Sequence, residues 1–325
     1  MSVRRPVRER LSKRARWLLI GFAAFVAMDI ALVWWAFGAG SRSSAEAGEP
    51  LPLSAFAPPP TYTPPPAAAE PDPEPARAPL SLEPPTRIIV PVDESAAWRS
   101  PTPACMGAFA TIEHSVDAGA TWDASTLDGV GGILAIDPYE DPSMVGIVAA
   151  VAGSCATEYR RSFTGGEFWA PAPDEAPAIP LLDQADRAVV HWPDGAGPGP
   201  CAAVGLASAE DGGAAVLCPD AGLWLAPAAD RGAWAPAGLP GAAVAVAAQG
   251  DDYLVALRRN PACDPGLSLV ILVEDGVVAP LACLTALPDE SAPIALGTSE
   301  DAAWLWVGDA TLVSSDGGSS WTGVG

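Results

Sequence analysis

Cysteine is the residue type with the most chemistry to offer in this sequence. Cys105, Cys155, Cys201, Cys218, Cys263 and Cys283 all follow a long apolar run near the N-terminus. An even set of thiols beyond such a run fits three disulfides in an oxidising compartment. Spacing suggests the partners. Cys201 and Cys218 flank the turn signal Glu210-Asp211-Gly212, and Cys263 and Cys283 centre near Glu274-Asp275-Gly276, which leaves Cys105 for Cys155. Six cysteines admit many pairings, and sequence alone does not choose among them. A metal site is the other chemistry open to thiols, but the chain has no C-x-x-C and only His114 and His191 to assist. Asp137, Glu140 and Asp141 offer oxygen ligands for calcium, a solvated acidic turn being the plainer reading. Two histidines and no G-x-S-x-G elbow argue against a serine hydrolase. No catalytic, cofactor-binding or metal-binding residue is assigned, and no cofactor is expected.

Asp, Ser, Gly and Trp recur together in an octet. One copy runs from Ser115 through Asp117, Gly119 and Thr121 to Trp122, and a second from Ser314 through Asp316, Gly318 and Ser320 to Trp321. A weaker copy joins Ser162, Gly166 and Trp169, with Thr164 in the Asp position. A fourth, one residue short, contains Asp230, Gly232 and Trp234. Asp and Ser side chains bond nearby backbone groups, Gly supplies positive φ, and the closing Trp offers an apolar face to the hairpin it ends. Each copy therefore reads as strand, turn, strand.

The pattern resembles the Asp box, S-x-D-x-G-x-T-W, of sialidases and other Asp-box β-propeller proteins. Residues 115–122 match every defined position, and 314–321 match with Ser320 for Thr. The resemblance implies that each octet joins the third and fourth strands of a blade, on the outer rim and away from a central ligand face. Asp117 and Asp316 are then scaffold. A sialidase would also need an arginine triad, a late Tyr-Glu nucleophile pair and an Asp. Arg99, Arg160, Arg161, Arg187, Arg231, Arg258 and Arg259 supply enough arginines. The last tyrosine, however, is Tyr253, and Arg87-Ile88-Ile89-Val90-Pro91 only loosely echoes the family's Arg-Ile-Pro signature. The sialidase catalytic signature is absent.

Positioning these turns requires strands. Apolar runs at Gly132–Ile136, Met144–Val151, Ala202–Leu206, Ala214–Leu217, Ala243–Ala248, Tyr253–Leu257, Leu267–Val273 and Trp304–Val307 are short and bounded by Gly, Asp or Pro, as buried strands are. Octet starts lie 47, 66 and 86 residues apart. A four-stranded blade takes about 40–50 residues. The 66-residue interval then holds one blade with an insertion around Pro193–Pro200, and the 86-residue interval two blades with a hidden turn near Glu274-Asp275-Gly276. The expected fold is all-β, a small β-propeller of about five four-stranded blades over 86–325. Arg87–Val90 is expected to pair with the last blade and close the ring.

Upstream, residues 1–16 carry seven of the seventeen basic residues, and Trp17–Phe37 is apolar save for Asp29. Such a span crosses a bilayer as a helix, with its basic flank in the cytoplasm. A cleaved signal peptide ending near Ala45-Glu46-Ala47 is the alternative. Asp29 is either a neutral passenger or a contact for another transmembrane helix. Residues 38–85 read as a disordered proline-rich stalk, with fourteen prolines between Pro50 and Pro85. Beyond residue 37 there are ten arginines against thirty-seven carboxylates, which disfavours nucleic acid as a partner. A single lysine and abundant Ala, Gly and Pro suggest a GC-rich bacterial gene. The expected role is a membrane-anchored, extracytoplasmic recognition or scaffolding module, non-catalytic, for an envelope glycan or protein. A glycoside hydrolase and an assembly factor for a membrane complex are the alternatives.

Overall fold

Strands a few residues long, broken by glycine, aspartate and proline, leave almost no room for helix in the computed structural model, which describes residues 78–84, 87–101, 105, 109–273, 276, 278–287 and 291–324. The basic segment, the apolar span with Asp29, the stalk up to residue 77, and Glu274 and Asp275 of the hidden turn lie outside the described residues. Among the described residues the one helical element is the 3-10 turn Pro173–Glu175, and no helix is long and apolar enough to cross a membrane.

Among the described residues six antiparallel sheets follow one another along the chain and form an all-β, six-bladed β-propeller. Blade 1 is β1 (Ile88–Pro91), β2 (Ala97–Ser100), β3 (Phe109–Ser115) and β4 (Asp123–Asp128); blade 2 is β5 (Val130–Pro138), β6 (Val145–Val151), β7 (Thr157–Ser162) and β8 (Ala170–Pro171). Blade 3 has three strands, β9 (Leu181–Leu182), β10 (Val189–Trp192) and β11 (Gly195–Pro198). Blade 4 is β12 (Gly205–Ser208), β13 (Ala214–Leu217), β14 (Leu223–Ala226) and β15 (Ala235–Pro236). Blade 5 is β16 (Ala242–Gln249), β17 (Asp252–Arg258), β18 (Leu267–Leu272) and β19 (Val278–Leu284); blade 6 is β20 (Ile294–Thr298), β21 (Ala303–Val307), β22 (Ala310–Ser314) and β23 (Thr322–Val324).

Two expectations are corrected. The blade count is six, not five. The stretch Pro193–Pro200, read as an insertion, contains the whole of β11, which pairs with β10 from Val189↔Pro198 to Trp192↔Gly195. The 66-residue octet interval therefore holds a complete short blade and most of another. Nor does the early strand join the last blade: Ile88–Pro91 pairs with Ala97–Ser100, while Thr322–Val324 supplies the last blade's own outer strand against Thr311–Val313.

Closure comes from packing instead. A Cβ on Gly297 of β20 would collide with the Ile89 carbonyl of β1, so only glycine lets these two inner strands approach. Trp304 Nε1 donates to the Asp93 carbonyl at 2.9 Å, and the Arg87 guanidinium donates to the Gly308 carbonyl at 2.6 Å, both across the same seam. The Arg99 guanidinium lies 3.8 Å from the Trp122 ring centroid and 4.4 Å from that of Trp306.

The core is divided among the seams. Trp98, Ile112, Ile133 and Ile147 join blades 1 and 2. Val190 and Val216 join blades 3 and 4. Leu217, Val255 and Leu257 join 4 and 5, while Leu254, Leu269 and Leu305 join 5 and 6. Ile89 and Trp304 join 6 and 1. Between blades 2 and 3 the described residues form no such buried cluster.

Candidate functional site

The octets lie between third and fourth strands: β3–β4, β7–β8, β14–β15 and β22–β23. Two of them share one hydrogen-bond network. The Gly119 N–H donates to Ser115 Oγ at 2.9 Å, Ser115 Oγ donates to Asp117 Oδ1 at 2.9 Å, and the Thr121 N–H and hydroxyl donate to the Asp117 carboxylate at 2.8 and 2.6 Å. Trp122 Nε1 then donates to the Gly119 carbonyl at 3.1 Å. Ser314, Asp316, Gly318, Ser320 and Trp321 repeat these bonds. In the third copy Thr164 Oγ1 takes the carboxylate's place, accepting from the Phe168 N–H at 2.9 Å, while Gly166 and Trp169 keep their roles. The short copy differs. Trp234 Nε1 donates to the Pro198 carbonyl of blade 3 rather than to Gly232, and Arg231 pairs with Asp194.

Donors converging on an exposed carboxylate favour its ionised form. The Ser320 hydroxyl and N–H, then the Ser314 hydroxyl, hold Asp316 down at about 2, and Thr121 lowers Asp117 in the same way. Both carboxylates are spent on their own turns.

The glycine at the fifth position of each of these three octets packs on the second strand of the preceding blade. Gly119 faces Trp304 of blade 6, Gly166 faces Trp98 of blade 1, and Gly318 faces Leu254 of blade 5. These turns therefore wedge the seams.

In the four-stranded blades, antiparallel order puts the octets and the turns between first and second strands on one face. The turns between second and third strands and the blade-to-blade connections lie on the other. All six cysteines sit on or beside that second, loop face. Cys105 bonds Cys155 between blades 1 and 2, Cys201 bonds Cys218 at the entry to blade 4, and Cys263 bonds Cys283 within blade 5.

The seam between blades 2 and 3, where the buried cluster is missing, holds a cleft of about 370 Å³. Val148, Thr157, Glu158, Tyr159 and Pro171 form its blade 2 wall, and Pro173, Ala176 and Pro177 from the connection to β9, with Leu181 of β9, form the other. Its size falls within the usual range for small-ligand sites of about 300–1,000 Å³. Tyr159 is fixed from behind. Its hydroxyl donates to Asp137 Oδ2 at 2.6 Å, with Tyr139 Oη 3.4 Å away. A Cβ on Gly146 would strike the Tyr159 hydroxyl, so that glycine makes room for it. Burial first, then the Asp137 bond, raises the Tyr159 phenol far above its ordinary value, so it stays protonated. Tyr159 is almost wholly buried and Glu158 pairs with Arg160, so the cleft offers proline walls and the Thr157 hydroxyl over the edge of an uncharged ring. Sequence reading missed it, although the run Ala170-Pro171-Ala172-Pro173 with Pro177 marks an extended wall.

Residues considered for chemistry are dispersed. Arg99 pairs with Glu113, Arg160 with Glu158 and Arg161 with Glu175. Arg187 donates to the Ala203 and Val204 carbonyls, Arg259 donates to Ala78 O, and Arg258 is buried. Tyr253 is buried at the seam of blades 4 and 5. Asp141 accepts from Ser143, His191 pairs with Asp183 at 2.8 Å, and His114 stacks on Trp98 at 4.1 Å. Among the described residues no group of three or more metal-binding side chains assembles.

No protein-family model matches the chain, and no curated protein sequence matches it. Solved structures similar to it are β-propellers. They include YCF48 bound to D1 peptide, 15% identical over 77% of this chain and 85% of that one, with a TM-score of 0.40. The BP39L lectin from Burkholderia pseudomallei is 14% identical over 74% and 84%, TM-score 0.41. The WD40 propeller domain of Doa1 is 11% identical over 73% and 97%, TM-score 0.40.

Proposed function

We propose that the protein is a membrane-anchored, extracytoplasmic recognition module, non-catalytic, that binds an envelope glycan or protein in the cleft between blades 2 and 3. One observation carries the reading: five seams are filled by buried side chains, and the sixth is open and lined by prolines, a threonine hydroxyl and the edge of a mostly buried tyrosine. Apolar proline walls with a few polar groups suit a sugar ring or an extended peptide. Three disulfides support an oxidising compartment. The apolar span before the stalk supports anchoring. The two complete octet networks support kinship with Asp-box propellers. Arginines each engaged with a local partner argue for binding rather than glycoside cleavage.

The test pairs a glycan array with turnover of fluorogenic glycosides, using the full chain and its Ala176→Trp variant, which fills the cleft mouth. Binding without turnover, lost in the variant, is the expected result. Turnover abolished by one carboxylate substitution would make the protein a hydrolase.

A further inference from the structure

The loop face is already occupied by the chain itself. Residues 78–84, Ala-Pro-Leu-Ser-Leu-Glu-Pro, lie against it without secondary structure. The Leu82 N–H donates to the Pro219 carbonyl at 2.7 Å, in the turn between the second and third strands of blade 4. The Leu82 side chain packs on the cluster that joins blades 4 and 5. The Arg259 guanidinium, from the corresponding loop of blade 5, donates to the Ala78 carbonyl at 2.5 Å. Arg259 holds a left-handed backbone, φ 57°, and its Nε is buried without a partner.

These contacts use little that is particular to residues 78–84: one backbone N–H, one backbone carbonyl and one leucine side chain. Any extended peptide with an apolar residue four positions after an available carbonyl presents the same three groups. Pro79 and Pro84 keep the segment extended and bring no N–H groups of their own. We propose that the groove between the 218–222 turn and the 259–266 loop is a binding site for an extended, leucine-bearing, proline-flanked peptide. Residues 78–84 fill it in cis until such a peptide displaces them. The site is separate from the blade 2–3 cleft.

Tethering sets the size of the effect. A segment joined by a short linker competes at an effective concentration of about 1 mM, so a peptide of about 0.1 mM intrinsic Kd binds roughly tenfold more weakly while the strap is seated. The test uses a fluorescein-labelled peptide with the sequence of residues 76–84, titrated into the full chain, into Leu82→Asp, and into Leu82→Asp combined with Arg259→Ala. Fluorescence anisotropy should show about tenfold tighter binding to Leu82→Asp than to the wild type. Binding should weaken again in the double variant and vanish when the peptide's own second leucine becomes aspartate. If Leu82→Asp fails to fold, judged by its melting curve, Leu82→Ser replaces it. Equal binding to wild type and released variants, or no binding to a folded released variant, overturns the proposal.

Discussion

Gly119 lies edge-on to the indole of Trp304 across the seam that closes the ring, so that a Cβ on Gly119 would stand 3.1 Å from Trp304 Cζ3. A turn in the first blade thereby locks the second strand of the last. Its φ of 87° adds a backbone demand to the steric one. Gly119→Ala should therefore lose stability twice, from left-handed strain of about 1–2 kcal/mol and from crowding of about 1–3 kcal/mol. Gly153→Ala is the control, with φ 79° and open space around it, and should show the strain alone. Chemical denaturation of both variants checks the difference.

The octet carboxylates should govern acid stability. The folded pKa of Asp316, about 2, lies below its ordinary 3.8, so its stabilising effect is complete above about pH 4 and fades as pH falls toward 2. Asp316→Asn should lower Tm at neutral pH and flatten the decline between pH 4 and 2. Parallel wild-type and variant curves in that range would contradict this role.

His114 should act at milder pH. Burial against Trp98 lowers its pKa, with Asp123 opposing, and its Nε2 has no partner. The unfolded chain then binds the proton more readily, so this contribution is present above about pH 6.5 and declines as pH falls below it. Replacing His114 with Phe keeps the stack and should reduce the drop in Tm between pH 7 and 5.

Removal of the Cys105–Cys155 bridge should cost more than removal of either other bridge. It spans 50 residues, against 17 and 20 for Cys201–Cys218 and Cys263–Cys283. Chain entropy gives about 4 kcal/mol for the long loop and about 3 kcal/mol for the short ones. Thermal melts of the three double-serine variants rank them directly.

Much of the ring was legible because its turns announce themselves. Asp117, Gly119 and Trp122 each leave a mark in the sequence, and runs such as Ala214–Leu217 and Leu267–Leu272 are apolar enough to read as strands. Blade 3 was not. Leu181–Leu182 is two residues long and Gly195–Pro198 reads as loop, since pairing there depends on the Pro193-Asp194 turn and on Trp192 and Trp234 meeting at 6.0 Å. The cleft was hidden for the same reason: it exists because one seam lacks a core, and periodicity within a strand does not report what faces it across a seam. Closure was misread because Ile88–Pro91 looked unpaired, whereas its partner Ala97–Ser100 carries Trp98 and Arg99 and shows no alternation.

Site-specific photo-crosslinking in intact membranes tests the working site most directly. With p-benzoylphenylalanine at Ala176, beside the cleft, or at Ser319, on an octet turn, the full chain should give a discrete adduct from position 176 and none from 319. Adducts from 319 with none from 176 would place recognition on the opposite face and contradict the account.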